Sequence, residues 1–175
     1  LLVALAIVGM SIIRIGPNEV GLVIKRWGRE KRSEGPVALH GEAGYQADLL
    51  MPGIAIRLWP VNRIEKHPWV QIPTGEIGLV IAQVGAPLPT GWKSGVYKRE
   101  FGQFTDVRAF IDCAGQQGVH RPLLPPGAIV PLHPVAFLVL TQSRSFGLPV
   151  NAQYRGKFGP ALFCLKAEDL TLKVM

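Results

Sequence analysis

The chain has 175 residues, of which 48% are apolar and only 18% are charged. Glycine and proline together supply 35 residues, a fifth of the chain. The apolar content excludes a disordered tail, and this density of helix breakers excludes a coiled coil or a helical bundle. What remains is a folded, turn-rich and mainly β chain, whose formal charge of +7 is compatible with nucleic acid or an anionic membrane as a partner.

The N-terminal segment Leu1–Ile13 holds eleven apolar residues among thirteen and has no charge before Arg14. A bilayer-spanning helix needs about 20 apolar residues, so the segment is compatible with a signal-peptide core, a buried helix or part of a longer membrane helix. We predict the third, a membrane helix segment that covers residues 1–14. The apolar side chains of this predicted anchor are Leu1, Leu2, Val3, Leu5, Ile7, Val8, Met10, Ile12 and Ile13.

Basic residues follow the apolar segment at once. Those that we predict to face lipid are Arg14, Lys25, Arg26, Arg29, Lys31 and Arg32. By the positive-inside rule this flank is cytoplasmic, and each basic residue near the surface attracts anionic head groups by about 1 kcal/mol. Because Glu30 and Glu34 are interspersed, a solvated hairpin loop is an equally good interpretation of the cluster.

An internal repeat organises the middle of the chain. Ile15–Gly28 and Ile72–Gly85 are identical at seven of fourteen positions, with an offset of 57 residues. Leu49–Val61 and Leu123–Val135 are identical at seven of thirteen positions, with an offset of 74. The second copy therefore has 17 additional residues between its two matching blocks.

Each copy predicts the same short β module. A turn precedes a strand of branched residues that contains Gly21 or Gly78, where a glycine indicates a bulge or a close approach of two backbones. A Pro-Gly pair then supplies a turn in which Gly53 or Gly127 adopts a positive φ. A module of about 60 residues buries little apolar area alone, so we expect two small antiparallel modules in tandem.

The additional residues of the second copy predict a short amphipathic helix near residues 104–115. Its apolar residues recur at helical spacing, and Thr105 or Asp106 is a suitable N-cap. The predicted organisation is therefore an anchor at 1–14, module one at 15–71, module two with a helical insertion at 72–140, and the start of a further module or domain at 141–175.

Motifs of enzymes and metal sites fail in this sequence. The loop Gly85–Ser94 ends in Lys-Ser, but its spacing differs from that of a phosphate-binding loop, and Pro87 and Pro89 remove backbone donors. The histidines show neither an HExxH pattern nor a nearby cysteine at metal-ligand spacing. We therefore predict no catalytic residues, no metal, no cofactor and no enzymatic activity.

A second interpretation is a basic β module that binds nucleic acid or anionic lipid. Single-strand binding proteins combine basic residues with aromatic side chains that stack on bases. Two clusters have this composition, the first at Lys25–Arg29 and the second with Trp92, Lys93, Tyr97, Lys98, Arg99 and Phe101. Because an apolar segment lies beside the first cluster, we favour a membrane surface and expect no nucleic acid.

The order of these features is similar to that of a known family. The apolar segment, the P-x-E-V-G-L-V motif at Pro17–Val23 and the repeated Leu-Leu-x-Pro-Gly resemble the start of a flotillin-like member of the SPFH (stomatin, prohibitin, flotillin, band 7) superfamily. The resemblance covers residues 1–140 and is most specific over Gly75–Gly91 and Phe104–Gly127. The modules are also similar to the β repeats of vault-like shells.

The resemblance implies a non-enzymatic scaffold at the cell membrane. Such a protein has one N-terminal membrane segment, with its β modules on the cytoplasmic side. Copies of the chain associate side by side into a large ring or cage that encloses a patch of membrane, so the implied partners are further copies, membrane lipid and membrane-protein clients. Beyond Leu140 the sequence departs from the family pattern.

Overall fold

The structure is a computed structural model that describes residue 9 and residues 11–28, 35–143 and 145–147. The chain divides into two compact units, Leu1–Trp69 and Val70–Met175. Both consist mainly of short antiparallel strands, which confirms the prediction of a mainly β chain with several small antiparallel sheets. The predicted boundary between the modules lies two residues beyond this division.

Unit 1 contains five strands. They are β1 (Ile12–Ile15), β2 (Glu19–Lys25), β3 (Gly44–Leu50), β4 (Gly53–Ile56) and β5 (Asn62–Pro68). Strand β2 lies between β3 and β5 in an antiparallel sheet, while β1 and β4 form a separate antiparallel ribbon. The branched side chains of Val20, Leu22 and Val23 on β2 are buried, so the central strand supplies much of the core of this unit.

Unit 2 contains six strands. They are β6 (Val70–Gln71), β7 (Gly78–Ala82), β8 (Gly118–Leu124), β9 (Ile129–Val130), β10 (Phe137–Leu140) and β11 (Ser145–Phe146). The sheet order is β11-β10-β7-β8, and β6 pairs with β9 in a ribbon. All residues of β7 and β10 are buried, as expected for two central strands whose side chains are almost all apolar.

The sequence repeat is also a repeat of strand pairing. In each unit the central strand, β2 or β7, has β3 or β8 on one side and β5 or β10 on the other, and a two-stranded ribbon accompanies the sheet. The pairing registers of the two copies differ by one residue in two places. In the ribbons, Arg14 lies opposite Ile54, but its counterpart Gln71 lies opposite Ile129 and not Ala128. The second place is the pairing of the central strand with β5 or β10. Leu22 of β2 lies opposite Glu65, whereas Leu79 of β7 lies opposite Leu140, which is one residue further along than the repeat offset predicts.

One glycine in each unit, Gly21 or Gly78, allows the two-stranded ribbon to contact the sheet. A Cβ atom on Gly21 would lie 2.7 Å from Cδ1 of Ile15, and one on Gly78 would lie 2.6 Å from Cδ1 of Ile72. The pairing register of each central strand also shifts nearby, between Leu22 and Ile24 on β2 and between Gly78 and Val80 on β7. The register shifts agree with the predicted bulge, whereas the group closest to each glycine is an isoleucine side chain and not a second backbone.

The predicted helix is present but shorter than 104–115. Helix α1 covers Val107–Asp112, and the Asp106 carboxylate caps it by accepting hydrogen bonds from the N–H groups of Arg108 (2.8 Å) and Ala109 (3.1 Å). Before it, a 3₁₀ segment at Arg99–Phe104 contains residues with left-handed φ values, which prevent continuation into α1. Ala114, with φ of 57°, ends the helix.

The prediction of an N-terminal membrane helix at residues 1–14 is wrong at its C-terminal end, where residues 12–14 form a strand. Ile12 and Ile13 belong to strand β1, where they lie opposite Ile56 and Ala55 of β4. Pairing with a partner more than forty residues away overrides what the local apolar run indicates. In the described part of the chain no helix is long and apolar enough to cross a membrane.

Other parts of these predictions lie outside the described residues. They are the anchor residues Leu1, Leu2, Val3, Leu5, Ile7, Val8 and Met10, and most of the predicted further domain, from residue 148 onward. The described residues after Leu140 end with β11, which pairs with β10 and so extends the sheet of unit 2.

Replacing Gly21 with alanine tests the close contact between ribbon and sheet. We expect Gly21→Ala to lower the free energy of unfolding by about 1–3 kcal/mol, because the new methyl group overlaps Ile15. Gly35→Ala in the same unit is the control, since its Cβ would meet nothing closer than 3.6 Å. Urea unfolding followed by tryptophan fluorescence measures both, and equal losses would contradict the contact.

Candidate functional site

The predicted lipid-facing basic residues differ in their surroundings. Arg14 is exposed on β1, and Arg26 is exposed directly after β2. Lys25 is only half-buried, but its Nζ donates a 2.6 Å hydrogen bond to the carbonyl oxygen of Gly41, so this ammonium group helps to hold a loop. The other predicted residues, Arg29, Lys31 and Arg32, lie outside the described residues.

Hydrogen bonds connect three parts of unit 1 near Ser11, which lies within the apolar segment just before β1. The carbonyl oxygen of Ser11 accepts a 2.9 Å bond from the N–H of Arg57, and its hydroxyl oxygen accepts a 3.1 Å bond from the N–H of Trp59. Two residues further on, the carbonyl oxygen of Val61 accepts a 2.9 Å bond from the N–H of Arg26. The start of β1, the turn before β5 and the end of β2 therefore meet.

We call this region the entry end; it comprises Ser11, Arg26, Trp27, Arg57, Leu58 and Trp59. The exposed fractions are 62% for Trp27, 59% for Leu58 and 37% for Trp59. The charged members are two exposed arginines. Tryptophan and arginine beside exposed aliphatic side chains are typical of the boundary between a bilayer and water. The composition of the entry end therefore fits contact with a membrane.

The β1–β4 ribbon adds an apolar face. Ile12 lies opposite Ile56, and Arg14 lies opposite Ile54, so these four side chains share one side of the ribbon. The three isoleucines are 50%, 68% and 76% exposed at positions 12, 56 and 54. Large exposed apolar side chains that adjoin one another mark interaction sites more often than isolated ones do.

Sequence reasoning missed the part of this surface that follows β3. The predicted site residues did not include Ile54, Ile56, Leu58 or Trp59. A usable signal was present, because Leu49–Ile64 contains no acidic residue and its Ile-Ala-Ile strand lacks the polar alternation of a strand with one solvated face. Their closeness to Ser11, however, depends on long-range pairing.

One fully buried titratable group of the described chain is His120 in unit 2. Its ring makes edge contacts with Phe101, Phe104 and Phe110 at centroid distances of 6.3, 5.4 and 5.4 Å. Gly95 lies against the ring so closely that a Cβ there would be 2.5 Å from Cε1. Nε2 lies 2.7 Å from the carbonyl oxygen of Gln116, which requires a proton on Nε2.

The surroundings of His120 favour the neutral imidazole. Burial among aromatic rings lowers the pKa of His120, and the hydrogen bond to Gln116 opposes this shift only in part. Nδ1 has no hydrogen-bond partner among the described residues. A general base needs a reacting group within hydrogen-bond reach, and this fully buried ring faces phenylalanines, so its role is packing.

The two glutamates of the repeat, Glu19 and Glu76, each follow a turn. The carboxylate of Glu19 accepts a 3.2 Å hydrogen bond from the N–H of Gly16. In unit 2 the corresponding residue is Pro73, which has no N–H, and the carboxylate of Glu76 instead accepts bonds from the hydroxyl (3.0 Å) and N–H (3.3 Å) of Ser143. The contact of Glu19 agrees with the interpretation of these glutamates as turn or strand-entry residues, whereas the carboxylate of Glu76 binds a segment 67 residues further along the chain.

The other polar groups do not assemble into a metal site in the described part of the chain. No group of three histidine, cysteine, aspartate or glutamate side chains is placed to hold a metal ion there. His133, which aligns with Trp59 in the repeat, is fully buried, and its Nδ1 accepts hydrogen bonds from the N–H groups of Val135 (3.2 Å) and Ala136 (3.0 Å). This imidazole therefore stabilises the turn before β10.

In the second basic and aromatic cluster, most aromatic side chains pack inside unit 2. Phe101 is fully buried, and Tyr97 packs against Phe101 and Phe104 at centroid distances of 5.7 and 5.4 Å. Of the aromatic residues predicted there, Trp92 is the one with an exposed ring. A single exposed ring is a weak stacking platform, which weakens the interpretation as a nucleic-acid binding module.

Comparison with known proteins finds no match. Neither protein-family models, nor curated proteins, nor solved structures match the chain. The resemblance to flotillin-like proteins therefore stays a prediction that rests on the motifs of this sequence.

The enclosure of His120 predicts a pH-dependent stability. Because burial lowers its pKa below the ordinary value of 6.5, the unfolded chain binds a proton that the folded chain rejects as the pH falls below 6.5. The free energy of unfolding should therefore decrease on acidification, by at most about 1.4 kcal/mol per pH unit from this group. Chemical unfolding between neutral and mildly acidic pH measures the slope.

Two variants isolate this contribution. His120→Phe should flatten the dependence on pH, whatever it does to absolute stability, because the titrating group is gone. His40→Asn, at an exposed position, should keep the slope. An unchanged slope in His120→Phe would show that other groups cause the acid sensitivity.

Proposed function

We propose that this protein is a non-enzymatic, membrane-anchored scaffold that self-assembles into a large ring or cage and organises membrane microdomains. The observation that carries the proposal is the entry end. The apolar run meets Ser11 where exposed Trp27, Leu58 and Trp59 and the charges of Arg26 and Arg57 are gathered. A β unit attached to a membrane segment needs such a surface at its point of attachment.

The orientation follows from the charges next to the apolar run. Arg14 and Arg26 are exposed, and basic residues beside a membrane segment favour the cytoplasmic side. The β units therefore lie on the cytoplasmic side of the cell membrane in this proposal. Membership of the flotillin-like group of the SPFH superfamily is part of the same proposal and is supported by the sequence motifs.

Self-assembly is supported by the architecture of the units. Each is a small sheet with a two-stranded ribbon, and such modules gain stability when apolar surface is buried against a neighbour. Exposed apolar side chains remain on both units, among them Met51 and Ile129. Association of many copies, with lipid and membrane-protein clients enclosed, is the use of this architecture that the resemblance implies.

A second candidate is a peripheral β module that binds anionic lipid or nucleic acid through basic and aromatic side chains. Exposed Trp92, with Lys93 next to it, favours this candidate. The two proposals differ in the role of the apolar run, because a peripheral module binds without it.

Membrane fractionation of the full chain separates the two candidates. We expect the protein to stay with the membrane in high salt and to leave it only with detergent, and negative-stain images of the extract should show large closed particles. A protein that is soluble without detergent and binds RNA or DNA in a salt-sensitive manner would contradict the scaffold. Monomers alone in the extract would contradict the ring or cage.

Neutralising the arginines tests the electrostatic part of this proposal. In a chain that starts at Ser11, Arg14→Gln, Arg26→Gln and Arg57→Gln together should weaken binding to anionic vesicles, by about 1 kcal/mol or roughly fivefold for each residue. Lys66→Gln on β5 is the control, an exposed cation outside the entry end. Vesicle co-sedimentation measures the affinities, and equal effects per charge would point to net charge alone.

A further inference from the structure

We infer that the outward face of the β1–β4 ribbon, formed by Ile12, Arg14, Ile54 and Ile56, lies in the boundary between head groups and acyl chains of an anionic bilayer. The inference rests on the proposed membrane anchor and extends it. It adds a second contact with lipid, made by strands, which holds unit 1 in one orientation on the membrane surface.

The chemistry of this face matches an anionic bilayer. Three exposed isoleucines surround the charge of Arg14, and neither strand of the ribbon contains an acidic residue. The neighbouring segment Leu49–Ile64 is also free of acids and adds the exposed cation Arg57. Amphipathic elements with this pattern bury their apolar side chains roughly 5–10 Å into the interface while cationic groups remain among the phosphates.

The chain connection places the face near the bilayer. The part of the apolar run that precedes Ser11 ends at Met10, and Ile12 follows only two residues later. An extended chain advances about 3.3 Å per residue, so Ile12 lies within roughly 10 Å of the end of the run. When the run enters a membrane, the first residues of β1 are therefore at its surface.

The second copy of the module forms its ribbon without a three-isoleucine face. In the β6–β9 ribbon, Gln71 lies opposite Ile129, and the position of Gln71 corresponds to Arg14 through the repeat. Ile129 is 56% exposed, but no further isoleucine accompanies it on β6 or β9. The three-isoleucine face therefore belongs to the copy that directly follows the apolar run.

Charge disfavours a second copy of the chain as the occupant of this face. The exposed apolar residues Trp92 and Val96 of unit 2 are the obvious partners. The segment around them is basic, with Lys93, Lys98 and Arg99 against one acid, Glu100. Like charges placed against Arg14 and Arg57 repel, whereas lipid phosphates attract all of these groups.

Site-specific quenching tests the inference on the full chain. An NBD fluorophore is attached to Ile54→Cys in a chain with Cys113→Ser and Cys164→Ser, and the protein is reconstituted in vesicles of equal parts phosphatidylcholine and phosphatidylglycerol that contain bromine-labelled acyl chains. We expect blue-shifted emission and roughly twofold or stronger quenching, as for a group at the acyl boundary. Ile129→Cys, the position of unit 2 that lies opposite the counterpart of Arg14, should be quenched much less.

The lipid dependence and a flotation assay make the outcomes distinct. Quenching at position 54 should weaken in vesicles of phosphatidylcholine alone. If the protein floats with the vesicles but position 54 is unquenched, the ribbon inference is wrong and the anchor remains. If the protein does not float, the anchor itself is wrong. Blue-shifted emission that bromine does not quench and that reverts on dilution would assign the face to a second copy and overturn the inference.

Discussion

The contact between an isoleucine and a glycine holds each unit together. Ile15 ends β1 and packs against Gly21 of the central strand, and Ile72 packs against Gly78 in the same way. A ribbon of two short strands is unstable alone, so its position depends on this insertion into the sheet. Because the inward side of the β1–β4 ribbon is fixed by Ile15, its outward side is presented to the surroundings.

Features that depend on local chemistry could be predicted from the sequence. The repeat predicted equivalent strands, the glycines predicted a bulge or a close approach, and Thr105 or Asp106 predicted a helix start, because turns, caps and missing Cβ atoms act within a few residues. The end of the apolar run could not be predicted correctly. Ile12 and Ile13 suit a helix or a strand, and pairing with β4 decides between them.

In the candidate site, too, the residues that could be predicted are those identified by local sequence, and the others depend on long-range contacts. Exposed Arg14 and Arg26 could be predicted from their position after an apolar segment, whereas the part of Lys25 in holding Gly41 could not, because it depends on a loop sixteen residues away. Trp59 enters the entry end through a hydrogen bond to Ser11 across 48 residues. The histidines of the sequence gave no hint that His120 is enclosed by phenylalanines, since these come from a separate segment.

The one-residue difference in pairing between β2–β5 and β7–β10 bears on how a chain with two similar modules avoids misassembly. Tandem copies risk exchanging equivalent strands while they fold. A strand paired in the register of the other copy would exchange the side chains on its two faces, since neighbours along a strand point to opposite faces. The exchange of Gly16 for Pro73 adds a second mismatch, because a borrowed turn loses the hydrogen bond that Glu19 accepts. These differences between the copies therefore disfavour the exchange of strands between the two units during folding.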